Sequence, residues 1–85
     1  MELNSLFEQA VVNSKLLNEK PSNDILLQLY SLYKQATEGD VNGDAPSNPF
    51  DFVGKAKYNA WEALKGKSQD EAKQAYVDLV EKLRS

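Results

Sequence analysis

Four stretches of the chain carry apolar residues at helical spacing, and each is cut off by a residue that resists continuing a helix. In the first, Leu3, Leu6, Phe7, Ala10, Val11 and Leu17 fall on or near one face. It ends by Lys20–Pro21, because the residue before a proline is pushed out of the helical region. The second opens around Ser22–Asp24, where Ser, Asn and Asp are all competent N-caps, and it carries Leu26, Leu29, Tyr30, Tyr33 and Ala36 up to a stop at Gly39. The third opens at Asp51, carries Val53, Ala56, Lys57, Ala60, Trp61 and Leu64, and closes at Gly66. The fourth begins with a capping box, Ser68-Gln69-Asp70-Glu71, in which serine and glutamate satisfy each other's backbone donors. Ala72, Ala75, Tyr76, Leu79, Val80 and Leu83 then form a continuous apolar stripe.

No segment alternates with period two over any length, so the pattern predicts an all-α fold. With 85 residues the chain can build one core, and residues 1–85 read as a single domain. The connections at 18–22 and 65–68 are short and suit neighbouring helices. The stretch from Gly39 to Asp51 is long for a compact helical domain and rich in Gly, Pro, Asn and Asp. The expectation is four helices with one long crossover.

Chemistry is narrowed by what the sequence lacks. There is no histidine and no cysteine, which removes the imidazole base, the thiolate nucleophile, the disulfide and the usual zinc sites. Ser5, Ser14, Thr37 and Ser68 have no base nearby in sequence and read as caps or surface residues, so binding is favoured over catalysis and no cofactor is expected. A net charge of −3 argues against a sequence-independent grip on nucleic acid. Residues 1–15 have neither the basic start nor the apolar run of a signal peptide, and no stretch approaches the ~20 apolar residues of a membrane span. The expected location is cytoplasmic.

Several groupings carry possible chemistry. Asp40, Asn42, Asp44, Asn48 and Asp51 fall near positions 1, 3, 5, 9 and 12 of a calcium loop, but Ala45 replaces the glycine of position 6 and Asp51 is shorter than the usual glutamate. The same residues are common turn formers. Tyr30, Tyr33 and Lys34 share one side of the second helix, offering a ring for stacking and a charge for a phosphate. The alternative is two core tyrosines with their hydroxyls at the rim. Lys57 lies one turn from both Val53 and Trp61, on the apolar side of its helix, where it either snorkels or is aimed at a ligand. Tyr76 reads equally as a core aromatic with one wet end or as a binding residue, and Lys15 taken alone is a solvated lysine.

Together these segments resemble the acyl-CoA-binding protein family. The resemblance rests on "LYSLYKQATEGDVN" at 29–42, "DFVGKAKYNAWEALKGKS" at 51–68 and "AKQAYVDLVEKL" at 72–83, with a weaker match at 7–22. It implies a four-helix up-down-down-up bundle holding one long-chain acyl-CoA. By that resemblance the adenine stacks on Tyr33, and Tyr30, Lys34 and Lys57 hold the ribose 3′-phosphate, with Tyr76 and Lys15 near the ligand. Ala10, Val11, Leu26 and Leu27 match positions along the acyl-chain groove. The implied role is a monomeric intracellular carrier and buffer that makes transient contact with membranes or acyl-CoA-using enzymes.

This sequence departs from the family pattern at three residues, and its run from Pro46 to Asp51 is one residue longer. Val53 stands where a lysine often precedes the Gly-Lys-Ala-Lys run, Tyr58 where a tryptophan follows it, and Ala45 where an arginine usually precedes the loop proline. Losing two cations predicts weaker or less salt-dependent head-group binding. A helical protein-interaction module is the competing reading, and a thioesterase ranks below both for want of a nucleophile and base.

Overall fold

All four segments are helical in the computed structural model, which describes residues 2–43 and 45–84. The helices are α1 (Leu3–Ser14), α2 (Asn23–Glu38), α3 (Phe52–Glu62) and α4 (Gln69–Arg84), and no strand occurs among the described residues. Three of the four starts are capped as the sequence predicts. The Ser22 hydroxyl accepts from the Ile25 N–H (3.3 Å) and the Asp51 carboxylate from the Gly54 N–H (2.9 Å). At α4 both halves of the capping box form: the Ser68 hydroxyl accepts from the Glu71 N–H (3.1 Å), and the Glu71 carboxylate from the Ser68 N–H (3.2 Å).

Two helix ends differ from expectation. α1 stops at Ser14 rather than near Lys20, because its last turn tightens: Lys15 N–H donates to the Val12 carbonyl and Leu16 N–H to that of Asn13. The Ser14 hydroxyl also bonds back to the Val11 carbonyl at 2.7 Å, competing with continued helix. α3 ends at Glu62, four residues before Gly66, and passes through further three-residue turns in which Leu64 and Lys65 N–H donate to Trp61 and Glu62. Gly66 ends that stretch at a φ of 95°, and Gly39 stops α2 at 83°, a region that a side chain makes costly.

Helix directions follow from which ends meet. Asn4 of α1 accepts from Lys73 early in α4 and Ser14 meets Tyr76 further along, so α1 and α4 run the same way. Thr37 at the end of α2 meets Gln69 at the start of α4, so these two oppose each other. The first turns of α2 and α3 share Leu26, Leu27, Val53 and Ala56, and their far ends meet where the Trp61 Nε1–H donates to the Gly39 carbonyl (2.9 Å). The bundle is therefore up-down-down-up, packed in the spatial order α1–α4–α2–α3.

The core joins Phe7 and Ala10 of α1, Leu29 and Ala36 of α2, and Ala72, Tyr76, Val77 and Val80 of α4. Burying each large side chain contributes about 1.5–3 kcal/mol. A second anchor is polar. Gln35, fully buried, donates through Nε2 to the Asp40 carboxylate (2.8 Å) and the Lys67 carbonyl (2.7 Å), and Gly66 N–H donates to the same Asp40 oxygen (2.9 Å). This knot ties the end of α2 to the α3–α4 connection. Both bonds to its carboxylate lower the Asp40 pKa, the Gly66 N–H more than the Gln35 amide.

Candidate functional site

Tyr30, half-buried at the middle of α2, is a wall shared by two apolar hollows. One, of about 330 Å³, lies between the end of α1 and α2 and is lined by Val11, Ser14, Lys15, Pro21, Leu26, Leu29, Tyr33 and Tyr76. The other, of about 310 Å³, lies between the first turns of α2 and α3, lined by Asn23, Leu26, Leu27, Val53, Ala56 and Lys57. The short connection through Pro21 and the shared direction of α2 and α3 set this arrangement. Each hollow reaches the lower end of the size range for small-molecule sites.

The cations sit at the rims. Lys57 Nζ lies 5.1 Å from the centre of the Tyr30 ring, a cation–π contact that explains a lysine on the apolar side of α3. Lys15, exposed at the end of α1, borders the first hollow. Lys34 stands apart from both hollows. Its ammonium pairs with Glu38 one turn on and lies 5.0 Å from the centre of the Trp61 ring. The hydrogen bond to Glu38 raises the Lys34 pKa, outweighing the opposing effect of burial.

Tyr33 and Tyr76 have different surroundings. Tyr33 is 41% exposed, and its ring lies near-parallel to Phe7 with centres 5.9 Å apart. Phe7 in turn meets Tyr76 edge-on at 5.2 Å. The open tyrosine is thus supported by a packed aromatic pair and retains surface for stacking. Tyr76 is only 4% exposed; its hydroxyl donates to the Ser14 Oγ (3.1 Å), whose own proton goes to the Val11 carbonyl. It is a core aromatic whose polar end reaches the wall of the first hollow.

The groove positions are divided. Val11 with Leu26 faces the first hollow, and Leu26 with Leu27 the second. Ala10 departs from expectation: it is buried in the core between α1 and α4, where a small side chain lets the two helices pack, and it borders neither hollow. The calcium pattern also dissolves into local structure. Asp40 belongs to the Gln35 knot, Asp51 caps α3, and the Asn48 Oδ1 accepts from the Phe50 N–H (2.9 Å), while Asp44 lies outside the described residues. No group of three acidic residues converges among the described residues.

Sequence reasoning took Ser14 for a cap or surface residue, whereas its hydroxyl accepts from Tyr76, and it did not foresee Phe7 as the support of Tyr33. Phe7 was visible as a core residue, but its pairing across to α2 had no signal in local spacing. Two apolar hollows meeting at a tyrosine, with lysines at their rims, define a small helical ligand-binding domain.

The chain belongs to the acyl-CoA-binding protein family: residues 4–80 match the family model described as acyl CoA binding protein. The acyl-CoA-binding protein of Dictyostelium discoideum is 53% identical over 77 residues, covering 91% of this chain and 90% of that protein. Acyl-CoA-binding protein homolog 1 of Caenorhabditis elegans is 51% identical over 77 residues, covering 91% and 88%. The crystal structure of acyl-CoA-binding protein 2 from Oryza sativa superposes with a TM-score of 0.90 at 39% identity, covering 96% of this chain and 90% of that one.

Proposed function

We propose that this chain binds one long-chain fatty acyl-CoA and acts as a non-enzymatic, monomeric carrier and buffer of such esters in the cytoplasm. The observation that carries the reading is the placement of Tyr30 between two apolar hollows with Lys57 over its ring. A ligand with a long hydrocarbon tail and an anionic nucleotide needs this pairing of apolar wall and cationic rim. In this reading the adenine stacks on the open ring of Tyr33. The 3′-phosphate is held by Tyr30, Lys57 and Lys34, with Lys15 close to the head group. The acyl chain follows Val11, Leu26 and Leu27, and Tyr76 supports the wall from the core.

The energetics favour sequestration without chemistry. Each methylene taken from water is worth up to about 0.8 kcal/mol, so ten or more outweigh any single phosphate contact. A charge-assisted hydrogen bond contributes about 1.5–3 kcal/mol and separates the CoA ester from the free fatty acid. Ordering a flexible ligand subtracts from both. Lys34 must exchange Glu38 for the phosphate, so its net contribution falls below that of Lys57.

Calorimetric titration with palmitoyl-CoA, with free CoA and palmitate as controls, tests the proposal. Tight one-to-one binding of the ester alone is expected. No heat at any chain length would overturn it and favour the protein-interaction module.

A further inference from the structure

The long connection between α2 and α3 holds a reactive pair that ligand binding does not use. Asn42 and Gly43 form the chain's single Asn-Gly step, and both are exposed and outside any helix. In such a step the second residue's backbone nitrogen can attack the first residue's side-chain amide and close a cyclic imide. Three things normally block the attack: a side chain crowding that nitrogen, a hydrogen bond holding its N–H, or a helix fixing the backbone. None operates here. Open space surrounds the place where a Gly43 side chain would stand, and its φ of 78° lies in the region that glycine enters freely. Neither the Gly43 N–H nor the Asn42 amide has a hydrogen-bond partner among the described residues.

Each of the other six asparagines fails on one of these counts. Asn4, Asn13, Asn23 and Asn59 lie in helices, where ψ turns the following nitrogen away from the side-chain carbon. Asn48 precedes Pro49, which has no N–H, and its Oδ1 already accepts from the Phe50 N–H. Asn18 precedes Glu19, whose side chain crowds the nitrogen. Reactivity therefore converges on one exposed position, two residues beyond the Asp40 carboxylate that ties the end of α2 to Gly66.

We propose that Asn42 is a self-modification site, converted to aspartate and isoaspartate through attack by the Gly43 nitrogen, and that its isoaspartyl form is a substrate for a carboxyl methyltransferase. The bond from that nitrogen to the Asn42 Cγ forms as the Cγ–Nδ2 bond breaks. The amide nitrogen leaves as ammonia, taking up the proton that the Gly43 N–H loses. Water then opens the imide. Cleavage at Cγ gives aspartate; cleavage at the main-chain carbonyl carbon gives isoaspartate, with the chain routed through the side chain. Either product adds one negative charge to a chain of net −3. The isoaspartyl form also bares an α-carboxylate on an open loop, to whose oxygen a sulfonium methyl donor passes its methyl group. Residue 42 borders neither hollow, so the chemistry is independent of the acyl-CoA reading.

Intact-mass measurement and peptide mapping of the purified chain held in mildly alkaline buffer test the proposal, beside Asn42→Gln and the urea-unfolded parent. The peptide spanning residue 42 is expected to exchange amide for acid about tenfold or more faster than the peptide spanning Asn18. An endoproteinase that cuts only before normal aspartate separates the two products. Folded and unfolded parent should react within about threefold of each other, because nothing in the fold protects the loop. Methyl incorporation by an isoaspartyl carboxyl methyltransferase should rise with the isoaspartate and be absent at residue 42 of Asn42→Gln. Conversion no faster at Asn42 than at Asn18 overturns the site. So does a folded rate about tenfold or more below the unfolded one, which would mean that the loop is held closed. Isoaspartate that takes no methyl group overturns the partner.

Discussion

Truncating Gln35 to alanine tests whether the buried amide, rather than the apolar core alone, joins α3 and α4 to the end of α2. The substitution removes both Nε2 donors, leaving the Lys67 carbonyl without its partner and Asp40 with the Gly66 N–H. A buried acceptor stripped of its donor costs about 1–3 kcal/mol, and the space left by a fully buried side chain adds to it. Against this, Gln35 Oε1 is buried with no hydrogen-bond partner, so its removal returns part of the loss. The net expectation is a destabilisation of about 2–3 kcal/mol, or a fall in Tm of about 10–20 °C for a domain this small. Gln35→Met, which fills the space and removes the orphaned oxygen, should lose only about 1 kcal/mol. Urea and thermal unfolding followed by far-ultraviolet circular dichroism give both values. A Gln35→Ala loss under about 0.5 kcal/mol would refute the reasoning, because it would mean that the knot contributes no more than a surface contact.

The remaining expectations concern charge. Lys57→Ala should weaken palmitoyl-CoA binding about tenfold or more, and Lys34→Ala by less, read by the same titration. Glu38→Gln should tighten binding about twofold, since it frees Lys34 from a surface pair worth a few tenths of a kcal/mol; unchanged or weaker binding would remove Lys34 from the phosphate site. Acid sensitivity should trace to Asp40 and Glu71. Their carboxyls are held below the free values of 3.8 and 4.5, Asp40 by Gly66 and Gln35, Glu71 by the Ser68 N–H and hydroxyl. Folded values below unfolded ones mean that this stabilisation is complete above the free values and is lost as pH falls through the folded ones. Urea midpoints measured down through that acid range should fall less steeply for Glu71→Gln than for the parent.

Family resemblance, not spacing, supplied the proposed roles of Tyr30, Tyr33, Lys34 and Lys57. Spacing alone grouped Tyr30, Tyr33 and Lys34 on one helix face and favoured core packing for the two tyrosines. The structure separates them: Tyr33 is open, Tyr76 is enclosed, and Lys34 already has a carboxylate partner. Ala10 illustrates the limit from the other side. A small apolar residue suits a groove or a close helix contact equally, and only the neighbouring α4 decides for the core.

By itself the sequence determined what acts within a turn or two. Helical periodicity, the caps at Ser22, Asp51 and Ser68, and the stop at Gly39 all involve neighbours no more than four residues apart. Tertiary structure decided the rest. The bonds from Trp61 to Gly39, Gln35 to Lys67 and Tyr76 to Ser14 join residues 22, 32 and 62 positions apart. No local preference encodes such pairings; they exist because the apolar faces of the four helices can be buried together in one arrangement, and that arrangement brings the polar partners within reach.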